Sequence, residues 1–112
     1  MTKLIVLVVE DKDIVSKMLK NMIEAMGHVA VTVCSGEAAL EHLCNFHVDV
    51  LLTDIALGMG LSGIELVTAA GTRVPPVVVL MSGSPAPDNL PINTFYLGKP
   101  FTWPQLEQIL HS

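Results

Sequence analysis

Short apolar runs in this chain end, one after another, on residues able to carry chemistry. Leu4–Val9 is followed by Glu10 and Asp11, and Val48–Thr53 by Asp54. Val77–Met81 is followed by Ser82, and Ile92–Leu97 by Gly98, Lys99 and Pro100. Each run is short, rich in β-branched residues and bounded by Gly, Pro or polar positions, which predicts buried strands ending at about 9, 54, 81 and 97. A further strand is predicted over 29–33. Between them the period changes to that of a helix. Ile14, Met18, Met22 and Ile23 predict a helix over 13–26, with Asp13 as its N-cap and Gly27 as its stop. Met18, Met22 and Met26 are read as core residues of that helix rather than as a binding stripe. Ser35 is expected to cap a helix over 36–43, and Ser62 to open a short one ending near Gly71. Thr102 is expected to cap a last helix over 103–110, with Pro104 tolerated in its first turn. Trp103, at its start, is read as a packing residue. Residues 55–61 form a Gly-rich loop. Residues 83–91 carry Pro85, Pro87 and Pro91, which allow one helical turn at most.

Strand alternating with helix implies right-handed crossovers and a parallel sheet covered on both faces. In such a sheet the carboxyl ends of the strands share one rim, where ligands bind. Glu10, Asp11, Asp54, Ser82 and Lys99 therefore converge.

Composition narrows the reading. A chain of 112 residues fits one domain. Its net charge of −5, with no cluster of Lys and Arg able to neutralise phosphates, argues against direct nucleic-acid binding. Cys34 and Cys44 lack a CxxC spacing and a secretory context, which suits a reduced, cytoplasmic chain. No stretch approaches the ~20 apolar residues of a membrane span. The apolar run after Met1-Thr-Lys3 is too short for a signal peptide.

Each rim residue has a plain explanation beside a chemical one. Glu10 and Asp11 suit a helix N-terminus; with Asp54 they also form a hard oxygen set of the kind that holds Mg²⁺. Asp54 suits a turn, or a nucleophile that becomes an aspartyl phosphate. Lys99 is a solvated strand end or a cation that neutralises phosphoryl charge. Ser82 is a turn residue or a hydroxyl donor to a phosphoryl oxygen. His28, His42, His47 and His111 lack metal-binding spacing and are read as structural or solvent-facing.

Five segments, in order along essentially the whole chain, resemble the receiver domain of two-component response regulators. They are Val6-Leu-Val-Val-Glu-Asp11, Asp49-Val-Leu-Leu-Thr-Asp54-Ile55, Leu61-Ser-Gly-Ile-Glu-Leu66, Val78-Val-Leu-Met-Ser-Gly83 and Tyr96-Leu-Gly-Lys-Pro-Phe101. The resemblance implies a flavodoxin-like (βα)5 three-layer α/β sandwich, its five-stranded parallel sheet in the order 2-1-3-4-5. Here the fourth helix would be shortened or absent. The resemblance further implies that Asp54 is the phosphoacceptor. Glu10, Asp11, Asp54 and the backbone carbonyl of Ala56 would hold Mg²⁺, for which Mn²⁺ could substitute. Ser82 takes the place of the switch hydroxyl, and Tyr96 that of the aromatic that follows it. Lys99 would bind the phosphoryl group, and a cis peptide would join it to Pro100.

The expected partners are a sensor histidine kinase or histidine phosphotransfer domain upstream and an unidentified protein downstream, in a bacterial signalling pathway. Residues 1–112 are expected to form one receiver domain without an output domain, not an enzyme beyond its own phosphorylation and dephosphorylation. Two segments depart from the pattern. Ala56–Gly63 looks more like the Gly-rich loop of receivers attached to hybrid histidine kinases, and 83–91 is shorter than the usual fourth helix with its loops. An interaction-only pseudo-receiver is the main alternative. A phosphohydrolase would need a second acid where Ala56 stands. A flavin site would need Ser, Thr and Gly where Glu10, Asp11 and Lys12 stand.

Overall fold

A computed structural model describes residues 3–111. Met1, Thr2 and Ser112, the ends of the expected single domain, lie outside the described residues. The order is β1 (Ile5–Val9), α1 (Asp13–Ala25), β2 (Val29–Val33), α2 (Gly36–Asn45), β3 (Val50–Asp54), α3 (Gly63–Ala70), β4 (Val77–Ser82), β5 (Phe95–Gly98) and α4 (Trp103–Leu110). A 3₁₀ turn, Gly71–Arg73, follows α3. The strands form one parallel sheet in the order β2-β1-β3-β4-β5, the flavodoxin-like order.

The central strands are apolar at successive positions because both faces of the sheet are covered. Val6, Val8, Val50, Leu52, Val79 and Met81 pack beneath Leu19 and Ile23 of α1 and Leu106 of α4. The alternate residues Leu7, Val9, Leu51, Val78 and Leu80 pack beneath Ala39 and Leu43 of α2 and Leu66 of α3. This period of two divides the core into two layers around one sheet.

Several boundaries differ from those read in the sequence. Lys12, not Asp13, is the N-cap of α1, and its side chain makes no capping bond. Asp13 stands in the first turn, where its charge suits the helix dipole. Ile14 is 84% exposed and Met18 is 53% exposed, so the apolar stripe of α1 is wider than the face it buries. Met22 is half-buried and Met26 buried. The third strand begins at Val50, because Asp49 turns its carboxylate to the amide of Ile5 at 2.8 Å. The fifth begins at Phe95: Asn93 has φ +63° and the Thr94 hydroxyl donates to the Pro91 carbonyl at 2.8 Å, a turn rather than a strand. Residues 83–94 contain turns and no helix.

The remaining caps stand where expected. Ser35 Oγ accepts from the amide of Ala38, and Ser62 and Glu65 form a reciprocal capping box at α3. The Gln105 side-chain oxygen accepts from the Thr102 amide at α4.

Candidate functional site

Strand register builds the rim. Val9 lies opposite Thr53 of β3, Asp54 opposite Met81, and Ser82 opposite Gly98. Glu10, Asp54, Ser82 and Lys99 thus stand at the ends of four neighbouring strands, and Asp11 opens the loop into α1. The bond from the Lys99 amide to the Ser82 carbonyl, at 2.7 Å, extends the β4–β5 ladder up to the lysine.

Lys99 organises the acids. Its Nζ donates to Asp54 Oδ2 at 2.6 Å and to Glu10 Oε1 at 2.9 Å. Glu10 is 2% exposed and Asp54 5%, whereas Asp11 is exposed. Burial holds the Glu10 carboxyl above its ordinary pKa, with the Lys99 bond pulling the other way. Burial also works against the Lys99 ammonium, but its bonds to Asp54 and Glu10 outweigh it, and its pKa is raised. The remaining Glu10 oxygen accepts from the Asp11 amide at 3.0 Å, and Asp54 Oδ1 from the Ala56 amide at 3.2 Å.

Carboxylate oxygens of Glu10, Asp11 and Asp54 lie within 4.8 Å of one another. Three hard, anionic oxygens, one on an exposed residue, fit a small divalent cation that keeps part of its water shell. The backbone beneath Asp54 is constrained too. Gly63 donates to the Ile55 carbonyl at 2.9 Å, and a Cβ at Gly63 would collide with the Asp54 carbonyl. Only a glycine lets α3 start so close to the strand end.

Ser82 and Tyr96 meet through a residue the sequence did not single out. Ser82 Oγ accepts from the Ser84 amide at 3.0 Å, and the Tyr96 hydroxyl donates to the Ser84 carbonyl. One peptide segment therefore touches both side chains. The Lys99–Pro100 peptide is cis, as the resemblance implies. His28 is the one histidine buried among the described residues; His42, His47 and His111 are partly or fully exposed, and none lies among the rim contacts.

Comparison with known proteins identifies the family and the fold. The model of the response regulator receiver domain family matches residues 6–111, and the chain belongs to that family. No curated protein matches it. Among solved structures, it is similar to a CheY-like response regulator receiver domain from Methylobacillus flagellatus. That pair shares 28% identity over 98% of each chain, with a TM-score of 0.84. It is also similar to the N-terminal domain of a response regulator/sensory box/GGDEF three-domain protein from Carboxydothermus hydrogenoformans. Here identity is 26%, coverage 96% of this chain and 90% of the other, and the TM-score 0.86. The receiver domain of a sensor histidine kinase from Pseudomonas aeruginosa, solved with a magnesium ion coordinated in its active-site cleft, shares the fold. It has 23% identity, coverage of 98% and 96%, and a TM-score of 0.83. Among the described residues no helix is long and apolar enough to cross a membrane.

Proposed function

We propose that this receiver accepts a phosphoryl group on Asp54 from a phosphohistidine of a sensor kinase or phosphotransfer domain, with Mg²⁺ held by Glu10, Asp11, Asp54 and the Ala56 carbonyl. The observation that carries the reading is the Lys99 ammonium bonded to both Glu10 and Asp54 within an acid cluster that spans 4.8 Å. In the transfer, an Asp54 oxygen bonds to phosphorus as the phosphorus–nitrogen bond breaks, and the imidazole leaves with the electron pair and takes up a proton. When bound, Mg²⁺ supplies charge neutralisation for the phosphoryl oxygens. Lys99 supplies the protein's own positive charge at the same place. The Ser82 hydroxyl then turns from the Ser84 amide toward a phosphoryl oxygen, and Tyr96, released from the Ser84 carbonyl, follows.

The apolar residues left over on α1 support a partner. Ile14 and Met18 are exposed, and Trp103 borders the same side of the helix. Beside them a cavity of about 330 Å³ is lined by Val15, Met18, Met22, Pro100, Phe101 and the Lys99 stem. It lies next to the phosphoacceptor rim through Lys99. We assign this surface to the helical phosphodonor. A reduced, cytoplasmic setting fits the two free cysteines, Cys34 and Cys44. The chain acts on itself once per phosphoryl group, and so is not an enzyme in the usual sense.

A second reading, an interaction-only pseudo-receiver, is favoured by the absence of a helix in 83–94. Calorimetric titration with Mg²⁺ separates the two. The phosphoacceptor reading predicts saturable binding by the wild type and about tenfold or greater weakening in Asp11→Asn. No binding by the wild type, or an unchanged titration in Asp11→Asn, contradicts it.

A further inference from the structure

The Gly-rich loop between β3 and α3 is fastened at a point that takes no part in the rim. Leu57 is buried in the core layer beneath α2 and α3, and Met59 stands at the exposed tip. At its far end the Leu61 amide donates to Glu37 Oε2 at 3.0 Å. Glu37 lies in the first turn of α2, 24 residues earlier in the chain. The fit around this bond is close. A Cβ at Gly60, where φ is +87°, would lie 2.5–2.9 Å from the Glu37 carboxylate. A Cβ at Gly36 would lie 2.8 Å from the Leu61 Cβ. The loop thus comes down onto the start of α2 through two glycines and one carboxylate.

The same arc passes over an acid of the cation site. A Cβ at Gly58, where φ is +72°, would lie 3.3 Å from Asp11 Oδ2. Asp11 is the exposed member of the acid cluster. Its carboxylate is therefore confined on one side by the backbone of a loop whose own position depends on Leu57 and Glu37.

We propose that Glu37 is a positioning residue of the cation site: by pinning the Gly58–Leu61 arc to α2, it keeps the loop closed over Asp11. The inference rests on the cation-binding reading above. The hydrogen bond of Glu37 is to the loop, through which it acts. Its effect must therefore depend on its capacity to accept a hydrogen bond rather than on its charge. Gln retains the acceptor and loses the charge; Ala loses both.

The test is Mg²⁺ calorimetry on the wild type, Glu37→Gln and Glu37→Ala at about 0.15 M salt, where exposed charges beyond ~8 Å are screened. It is paired with hydrogen exchange at the Leu61 amide. The expected result is about fivefold weaker Mg²⁺ binding in Glu37→Ala, with faster Leu61 exchange, and near-wild-type values for both in Glu37→Gln. Wild-type binding with Glu37→Ala within about twofold of it overturns this inference and leaves the cation reading standing. Equal weakening in Gln and Ala overturns it in favour of a simple charge effect. A wild type that binds no Mg²⁺ overturns both readings.

Discussion

Without the Lys99 ammonium, Glu10 and Asp54 would share a buried rim with no cation of the protein's own between them. Breaking a buried pair on one side costs more than the pair contributes, because a charge is left uncompensated. Lys99→Ala should therefore lower stability by about 3 kcal/mol in metal-free buffer. Mg²⁺ should raise its melting temperature more than it raises that of the wild type. An unchanged melting temperature would show that the lysine does not balance these acids. The raised pKa of Lys99 has a defined consequence. Its stabilisation is complete below its unfolded value and is lost as pH rises through the higher folded value, so it belongs to the alkaline side. Glu10, also raised but by burial, has the same sign in the acid range: its contribution improves as pH falls from its raised folded value toward its ordinary one. The rim residues were legible in the sequence because each follows an apolar run. Ser84 and Glu37 were not. Ser84 bonds through its backbone, which any residue offers, and Glu37 reads as an ordinary first-turn acid.

At the scale of the element, the start of β1 is secured by two titratable side chains, one from the residue just before β2 and one from the residue just before β3. The Leu4 amide donates to His28 Nδ1 at 3.0 Å, and the Ile5 amide to Asp49 Oδ2 at 2.8 Å. His28 is 5% exposed, with a buried Nε2 that has no hydrogen-bond partner in the structure. Burial first, and then the nearby His111 ring, lower its pKa. The unfolded chain therefore takes up a proton at His28 before the folded chain does, and stability is lost as pH falls below about 6.5. Asp49, lowered chiefly by the Ile5 amide and further by His47, contributes above its ordinary value and is lost only as pH falls through its lower folded value. His28→Asn keeps an acceptor near Nδ1 but cannot titrate. Its unfolding free energy, compared with that of the wild type by urea denaturation, should be flatter between pH 7 and 5. Parallel pH profiles would show that His28 does not report this pH range. The reading of His28 as structural or solvent-facing did not specify this role, because its partner, the Leu4 amide, is distant along the chain. The element boundaries that moved did so for similar reasons. Asp49 shortens β3 by turning to Ile5, and the Pro91–Thr94 turn delays β5.

For the whole molecule, the parallel sheet and the position of the rim followed from alternation of strand and helix, whereas the strand order was implied by the family resemblance. The prolines of 83–91 likewise announced the missing helix. The use of α1 was not legible: its stripe of Ile14, Met18, Met22 and Ile23 looks like a core face, and only packing reveals that its first half is left exposed. On the proposed reading, the rim, the α1 surface and the Ser82–Ser84–Tyr96 contact form one connected device in which Asp54 is the input. The direct test is the intact mass of the wild type and of Asp54→Asn after incubation with acetyl phosphate and Mg²⁺. The expected result is a labile gain of about 80 Da, one phosphoryl group, in the wild type alone. A gain that persists in Asp54→Asn, or none in a wild type shown to bind Mg²⁺, would contradict it.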